Sequence, residues 1–374
     1  MKILCAGPTT IDPRVEKAMQ GIVTNPDLDP EYEKFHRNVE KKLSRVVHTD
    51  RPSIIMLAEG MLALEGSVCS LMEPGERVLV LSNGFFGAGF SEFVDFFGGE
   101  AVLFEGDFRH GLDVDALRAF LEKDSDFALA TMVHCETPSG ITNDAAAICK
   151  LLKEYSILSI VDCVSSFGGE DIDFDESGMD ILLGGTQKCL SAPTGLSILT
   201  LSEAAEQKMR NRKTRIPSYY MNLLNYLDVS EDFAFPYTMS EHLTYALNEA
   251  LDLWQERDSI ALHRQYGEIT RKAFVDSGFT LYPKDAFSDT VTAVCVPDGM
   301  TATEILDRCR EKGVMISKGV GELHDGLIRI GHMGSNISEE NFRALFTVLD
   351  EVFGEAGMAD TRFLETFEAA IARA

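Results

Sequence analysis

The stretch DILLGGTQKCLSAP, residues 180–193, decides the fold and carries one isolated lysine. Apolar "MDILL" precedes the small, neutral residues around Lys188, and apolar "TGLSILT" follows them. Surface lysines usually lie among other charges, whereas a lysine at the end of a buried strand indicates an amine used for chemistry. The alternative is a lysine whose stem covers a loop while its amine reaches solvent, and this stretch by itself leaves both interpretations open.

Short apolar segments alternate with helical segments around this stretch, from about residue 55 to 200. Strands that are apolar throughout and are separated by helices predict a parallel sheet covered on both faces. The sequence therefore predicts an α/β fold with a mostly parallel sheet. The predicted strands are 77–82, 100–105, 127–133, 157–162, 180–185 and 196–201, and the predicted helices are 61–72, 90–98, 113–124 and 144–155.

The pattern changes in the last third of the chain. Residues 241–272 predict a long helix or a helix pair, and a smaller α+β unit follows, with strands at 289–298, 314–317 and 327–332, a helix at 301–313 and a closing helix. A chain of 374 residues is also long enough for two domains. We therefore expect an N-terminal arm (1–20), a large domain (21–260) and a small C-terminal domain (261–374).

The composition excludes several classes of partner. Sixty acidic residues against 34 basic ones give a formal charge of −26, which disfavours nucleic acid and anionic membranes. The apolar run in the N-terminal stretch "MKILCAGPTT" is too short for a signal peptide. No apolar run in the sequence approaches the ~18 residues of a membrane span. We expect a cytoplasmic protein. Its eight cysteines form no CxxC pair and predict reduced thiols in the core, without a metal site.

Two residues at the ends of predicted strands carry a specific chemistry. Open α/β sheets bind ligands at these strand ends. Asp162 ends the apolar strand "ILSIVD", where a carboxylate costs free energy unless a cation pairs with it, and Lys188 follows the next strand. An aspartate opposite a protonated ring nitrogen and a lysine that bonds to an aldehyde are what pyridoxal chemistry needs.

Two further segments suit the same ligand. In "AEGMLALEG", residues 58–66, Gly60 lies near the first turn of a helix, where free N–H groups and the helix dipole form an anion cup. "NGFF", residues 83–86, ends a predicted strand with aromatic residues that could stack on a flat ring. Each has an ordinary structural explanation alone, but their order and spacing support one another.

The chain resembles the class V aminotransferases of fold type I, the group of alanine–glyoxylate, serine–pyruvate and 2-aminoethylphosphonate–pyruvate transaminases. The resemblance covers nearly the whole sequence. Within the group, "ETPSG", "VSSFGG" and "RIGHMG" come closest to pyridoxamine–pyruvate transaminase. The matching segments, in family order, are "AGPTTIDPRVEKAM", "LSNGFFGAGF", "HCETPSGITN", "VDCVSSFGGEDIDFDE", "GGTQKCL" and "IRIGHMG".

The resemblance implies a role for each matching residue around the pyridoxal ring. Lys188 is implied as the lysine of the Schiff base and Asp162 as the partner of the ring nitrogen. Val164 would pack on one face of the ring and Phe86 would stack on the other. Thr137 would hydrogen-bond the phenolic oxygen of the ring.

The same resemblance implies phosphate and substrate contacts. Gln187 and Thr238 match phosphate-side positions, with Thr238 reaching in from the partner subunit of a homodimer with shared active sites. Arg329, in the otherwise apolar "LIRIGHMG", would hold the substrate carboxylate as a bidentate fork. A surface arginine beside a strand is the alternative. The implied cofactor is pyridoxal 5′-phosphate, bound by the large domain, and the implied substrates are a small amino donor and a 2-oxo acid.

The phosphate cup departs from the family pattern. Glu59 stands where relatives have a small hydroxyl residue, Met61 replaces a histidine or threonine, and Phe235 replaces a phosphate-binding tyrosine. "NPDLDPEY" replaces the usual His-Arg of the substrate loop. A carboxylate repels a phosphate but accepts a hydrogen bond from a hydroxymethyl group. An alternative is therefore a pyridoxamine–pyruvate transaminase that uses unphosphorylated vitamin B6 as a substrate.

Two rival functions remain at this point. A lyase related to the cysteine desulfurases needs a mobile nucleophilic cysteine, and we find no Gly/Ser-rich loop that carries one; Cys189 is expected to be a small buried residue. A ligand-binding or scaffold protein without catalysis is the other rival. The presence of both Asp162 and Lys188 argues against it. We therefore expect a transaminase that moves an amino group from a small donor to pyruvate or glyoxylate.

Overall fold

The computed structural model describes residues 1–21, 23–227, 235–358 and 360–373. Its strands, in chain order, are β1 (Lys2–Ile3), β2 (Ser53–Met56), β3 (Arg77–Ser82), β4 (Glu100–Glu105), β5 (Leu129–Val133), β6 (Cys135–Glu136), β7 (Ile141–Thr142), β8 (Leu158–Asp162), β9 (Ile181–Gly185), β10 (Ser197–Leu201), β11 (Val291–Cys295), β12 (Val314–Met315), β13 (Ser317–Lys318) and β14 (Leu327–Gly331).

Helices precede and follow most of these strands. None of those in the described ranges is long and apolar enough to cross a membrane. They are α1 (Pro13–Ala18), α2 (Pro30–Val46), α3 (Met61–Leu71), α4 (Phe85–Phe96), α5 (Val114–Leu121), α6 (Ala145–Glu154), α7 (Phe174–Ser177), α8 (Glu203–Arg210), α9 (Leu224–Leu227), α10 (Glu241–Glu256), α11 (Ser259–Asp276), α12 (Ala302–Glu311), α13 (Glu339–Glu355) and α14 (Phe363–Ile371).

The largest sheet in the described ranges has seven strands in the order β2-β10-β9-β8-β5-β3-β4. All neighbouring pairs are parallel except those of β10, which runs antiparallel to both β2 and β9. The prediction of a mostly parallel sheet is thus confirmed. The sequence missed β2 and could not give the direction of β10, because a buried strand is apolar throughout in either direction.

The helices that cover this sheet form for local reasons. At α6, the side chain of Asp144 accepts the N–H of Ala147 and caps the helix start, while Ile148, Leu151 and Leu152 face the core. Such apolar faces give two buried clusters, one on each side of the sheet. Burial on both faces explains why the strands read as continuous apolar runs.

A separate core lies in the C-terminal third. It contains buried residues from Tyr266 to Phe367 and, from the chain start, Leu4. The N-terminal strand β1 pairs with β12, so the first residues of the chain pack against this unit. The predicted helix 241–272 is a pair, α10 and α11. The predicted strand 314–317 is split between β12 and β13, which belong to different sheets, and two closing helices replace the single one predicted.

Candidate active site

Lys188 lies in the turn that follows β9, beside the carboxyl ends of the central strands. Its Nζ donates to the carbonyl oxygen of Ala6 at 2.6 Å. No carboxylate of the described residues lies within 4 Å of this amine. Burial, and then the nearby Arg329 guanidinium, lowers the pKa of Lys188. Both effects favour the neutral amine, the form that attacks a carbonyl carbon.

Asp162 is the last residue of β8 and is buried. Its Oδ1 accepts the N–H of Val164 at 2.8 Å, and no cationic side chain of the described residues forms an ion pair with it. Burial raises the pKa of Asp162 to about 6, although the Val164 N–H and the Lys188 amine favour the ionised form. A buried carboxylate without a bound cation suits a ligand that brings a protonated nitrogen.

Asp162→Asn should stabilise the cofactor-free protein at pH 7.5. The folded-state pKa of Asp162 is raised from 3.8, so its stabilising effect is complete below pH 3.8 and is lost as the pH rises through about 6. The neutral amide keeps the contact to the Val164 N–H and removes the buried charge. We expect a gain of about 1–3 kcal/mol at pH 7.5 and a smaller gain at pH 4.5, measured by thermal melting.

The control for this substitution is Asp298→Asn, at an exposed carboxylate. It should leave the melting temperature unchanged at both pH values. If Asp162 pairs with the ring nitrogen of a bound cofactor, as the resemblance implies, Asp162→Asn should at the same time weaken cofactor binding. A variant that melts at or below the wild type at pH 7.5 would contradict the argument.

The residues that would hold the two faces of a ring come from different elements. Val164 follows β8, and a methyl group at Gly60 would lie 3.0 Å from Val164 Cγ2, so a glycine at position 60 allows the start of α3 to approach Val164 closely. Phe86 lies in the first turn of α4 and is 37% exposed. Placing it at the end of a strand was therefore wrong, because the glycines in "FFGAGF" hide the helical signal.

Glu136 was missed by the sequence interpretation. This fully buried carboxylate accepts the N–H groups of Phe86 and Gly87, both at 3.0 Å, and so caps the start of α4. Burial raises the pKa of Glu136 to about 7, against the effect of these two donors. A charged residue in the apolar and small-residue stretch "HCETPSG" was the available signal, the same one that identified Asp162.

The hydroxyl of Thr137 forms a hydrogen bond with that of Ser165 in the buried floor beside Asp162. Its backbone oxygen accepts Nη1 of Arg329 at 3.3 Å. Thr137 therefore connects the large sheet to β14, which carries Arg329. The contact with a ring oxygen that the resemblance implies remains a prediction.

Arg329 is 8% exposed. Its Nε donates to the Lys318 carbonyl at 2.7 Å, and no carboxylate of the described chain lies within 4 Å of the guanidinium. Burial lowers the pKa of Arg329 to about 10. A surface arginine, the alternative left open by the sequence, is therefore wrong. A buried guanidinium that binds only carbonyl oxygens suits a ligand carboxylate.

The anion cup at the start of α3 contains an anion from the chain itself. Oε2 of Glu59 accepts the Met61 N–H at 2.9 Å, and Oε1 accepts Nε2 of Gln187 at 2.6 Å. Oε1 of Gln187 is buried and has no hydrogen-bond partner among the residues that the structure describes. The Met61 side chain is half exposed and does not line the cup floor. The carboxylate thus uses the donors that a phosphate would need.

The hydrogen bond of Thr238 does not lead to the residues around Lys188 and Asp162. Thr238 is exposed, and its hydroxyl donates to Asp27 at 2.8 Å. Its contact with the site of a partner subunit stays a prediction.

The ring of Phe235 packs against Tyr32 and His36.

The thiol next to the lysine is not a mobile nucleophile. Cys189 is buried, its Sγ lies 3.4 Å from the Ser165 carbonyl, and burial raises the pKa of its thiol well above the ordinary value. A desulfurase needs a reactive thiolate that moves over the ring. The lyase rival therefore has no candidate residue at this position.

The pyridine ring of pyridoxal 5′-phosphate is compatible with these residues. An amine without a carboxylate partner, a buried carboxylate without a cation and a glycine at the wall beside Val164 match its aldehyde, its ring nitrogen and its flat face. Lys188, Asp162 and Val164 would hold these three parts. The phosphate end differs, because Glu59 occupies the donors of the cup.

Comparison with known proteins agrees with this chemistry. A family model described as class V aminotransferase matches residues 6–323. An uncharacterized aminotransferase of Methanocaldococcus jannaschii is 32% identical, over 89% of this chain and 87% of that one. Pyridoxamine–pyruvate transaminase of Mesorhizobium japonicum is 30% identical, over 95% and 92%. The structure of ureidoglycine–glyoxylate aminotransferase from Bacillus subtilis superposes with a TM-score of 0.93 at 26% identity, covering 99% of this chain and 97% of that one.

Proposed function

Because this chain belongs to the class V aminotransferases of fold type I, which use pyridoxal 5′-phosphate, we propose that it moves an amino group from a small donor to pyruvate or glyoxylate. The observation that carries this proposal is a group of neighbouring side chains: the half-buried Lys188 amine without a carboxylate partner, the buried Asp162 carboxylate without a cation and the buried Arg329 guanidinium without a carboxylate. Two of these similar proteins act on pyruvate or glyoxylate by their names, which supports the acceptor class.

Each side chain has a distinct task in this proposal. The bound cofactor supplies an electron-withdrawing ring that stabilises negative charge at the substrate α-carbon. Asp162 keeps the ring nitrogen protonated. The Nζ of Lys188 would take the proton from the α-carbon and deliver it to the exocyclic carbon of the cofactor, and its lowered pKa suits it to act as the base. Arg329 binds the carboxylate and orients the substrate.

A screen of amino donors against keto acids tests the proposal. The pyridoxal content of the purified protein is measured first. Alanine, serine, aspartate and pyridoxamine are then tested as donors, each with pyruvate, glyoxylate or 2-oxoglutarate as acceptor. We expect turnover with pyruvate or glyoxylate and little with 2-oxoglutarate. Turnover with 2-oxoglutarate alone would reject the acceptor assignment.

We further propose a homodimer in which Thr238 serves the partner's site. Large exposed apolar side chains surround the start of α3: Met61 is 50% exposed, and Tyr219 and Tyr220 are 60% and 52% exposed. The adjacent Met221 lies against Gly66 of the same helix. Exposed apolar residues grouped in this way support a subunit interface. Sedimentation at micromolar concentration should give twice the chain mass, and a monomer would reject this proposal.

A second candidate function is favoured by Glu59. Its carboxylate holds both the Met61 N–H and the Gln187 amide, and Oε1 of Gln187 is free to accept a hydroxyl proton. This set of groups suits a hydroxymethyl group better than a dianion. The chain would then transfer the amino group of free pyridoxamine to pyruvate, the reaction named for the Mesorhizobium relative.

Glu59→Ser decides between the two candidates. A carboxylate about 4 Å from a phosphate costs roughly 4 kcal/mol per charge pair at an effective dielectric of 20. If the second candidate holds, the wild type binds pyridoxal more tightly than its phosphate, and Glu59→Ser improves binding of the phosphate form at least about tenfold. Fluorescence titration of both forms measures this.

Two matched variants accompany the measurement. Glu59→Gln removes the charge at nearly constant shape, and Glu65→Gln makes the same charge change one turn further along α3. Glu59→Gln should improve binding of the phosphate form as Glu59→Ser does, and Glu65→Gln should not. Tight binding of the phosphate form by the wild type, without improvement in Glu59→Ser, would end the second candidate and leave an ordinary transaminase.

A further inference from the structure

The N-terminal segment lies directly against the side chain of Lys188. The Ala6 carbonyl accepts the Nζ proton at 2.6 Å. Gly7 has φ +84°, and a Cβ built there would lie 2.4 Å from Cδ, 2.8 Å from Cε and 3.0 Å from Nζ of Lys188. The lysine stem therefore occupies the space in which any other residue at position 7 would place its side chain.

The segment is fixed on both sides of this contact. The Thr9 hydroxyl lies 3.1 Å from the Lys188 carbonyl, and the Thr9 N–H donates to the Gln187 carbonyl at 3.0 Å. The Ala6 N–H donates to the hydroxyl of Ser317 at 3.0 Å. The segment thus joins the loop of the lysine to β13, whose neighbour β14 carries Arg329. The carbonyl of Ala6 is consequently held in place rather than free to follow the amine.

We propose that the Ala6 carbonyl is the resting contact of the Lys188 amine, made whenever that amine carries no bond to the cofactor, and that Gly7 is required to leave room for the lysine. An amine or ammonium nitrogen carries two or three protons and can donate to Ala6. A nitrogen bonded to the cofactor carbon keeps at most one, fixed in the plane of its two carbon substituents, and cannot turn it freely towards Ala6; we therefore assign the contact to the states with a free lysine. This inference rests on the proposed role of Lys188.

A double-mutant cycle on stability tests the contact without using activity. Gly7→Ala and Gly75→Ala both place an alanine at φ +84°, but nothing lies within 4 Å of a Cβ at position 75. The second variant therefore measures backbone strain alone. In the cofactor-free full chain, Gly7→Ala should melt at least about 2 °C below Gly75→Ala. This excess should disappear in the Lys188→Ala background. An equal excess in both backgrounds overturns the proposal.

Vitamin binding then tests the functional part. The aldehyde form of the vitamin, pyridoxal, bonds to the lysine, whereas the amine form, pyridoxamine, leaves the lysine free. A methyl group at position 7 crowds the free lysine, so Gly7→Ala should favour binding of the aldehyde form. For Gly7→Ala we expect the ratio of the dissociation constants, amine form over aldehyde form, to rise at least about fivefold relative to wild type and Gly75→Ala. The pair used is pyridoxal and pyridoxamine 5′-phosphates, or the unphosphorylated pair if those do not bind. An unchanged ratio overturns the proposal.

Thr9→Val provides the decision if Gly7→Ala does not fold. It removes the hydroxyl that holds the segment to the lysine loop. Thr10→Val is the control at the neighbouring residue, because the contact of Thr10 to Asn336 is made by its backbone N–H and not by its hydroxyl. Loosening the resting contact destabilises the free-lysine states, so Thr9→Val should raise the same ratio and Thr10→Val should not. Equal ratios in both overturn the proposal. A fully active Lys188→Ala variant would instead reject the proposed function, whatever the cycle shows.

Discussion

Replacing Lys188 by alanine is expected to lower both half-reactions of transamination at least about 10³-fold. The variant loses the amine that we propose bonds to the cofactor and moves the α-proton. The Lys188 amine is half-buried, donates only to the Ala6 carbonyl and has a lowered pKa. No other lysine of the described residues combines these features, so none should replace it as the reactive amine. Single-turnover absorbance measurements with a donor and, separately, with a keto acid follow the two half-reactions.

Lys150→Ala is the control for this prediction. Lys150 is an exposed lysine on α6 and should be replaceable without loss of rate. The Lys188→Ala protein should also fail to form a borohydride-reducible bond with the aldehyde form of the vitamin. Undiminished transamination by Lys188→Ala would reject its assignment as the reactive lysine.

Arg329→Ala is expected to raise the KM for the keto acid by about 30- to 5,000-fold, equivalent to a loss of about 2–5 kcal/mol for a buried charge pair. The guanidinium is buried and donates to two carbonyl oxygens, and it forms no ion pair with a carboxylate of the described residues, so a substrate carboxylate would supply that partner. Steady-state kinetics with several keto acids give the KM values.

Substrates without a carboxylate separate this role from a structural one. Donors such as pyridoxamine or simple amines should react with Arg329→Ala almost as they do with the wild type. Arg329→Lys keeps the charge but not the bidentate fork and should lie between the two. Arg310→Ala, at an exposed arginine of α12, should change nothing. Equal losses for acids and amines would make Arg329 structural.

The comparison of sequence and structure is most instructive at the acidic residues. Asp162 and Glu136 are both buried carboxylates in apolar or small-residue stretches. The first was recognised because it ends a continuous apolar strand. The second was not, because its two partners are backbone N–H groups about 50 residues away, and backbone donors leave no sequence signal. The position of Phe86 was misjudged for the same local reason: its helix starts with glycines and a distant cap.

At the anion cup, the sequence identified the unusual residue but not the direction of its side chain. The sequence identified Glu59 as an unusual residue at the start of a helix and raised the conflict with a phosphate. It could not tell whether the carboxylate turns outward or into the cup. The contacts to Gln187 and to the Met61 N–H place it inside. They depend on the antiparallel strand β10, whose Ser197 hydroxyl holds the carbonyls of Ala58 and Glu59.

The sequence by itself determined the layered α/β fold and most of its central strands, and it singled out Lys188 and Asp162, because these follow from apolar periodicity and from the cost of charge in apolar segments. Only the tertiary structure decided the direction of β10, the cap that Glu136 gives to the helix of Phe86, and the contact of Ala6 with Lys188. The last two of these features join residues 49 to 182 positions apart. Such contacts depend on how the helices and strands pack together, and the local sequence pattern does not predict which distant segments will be in contact.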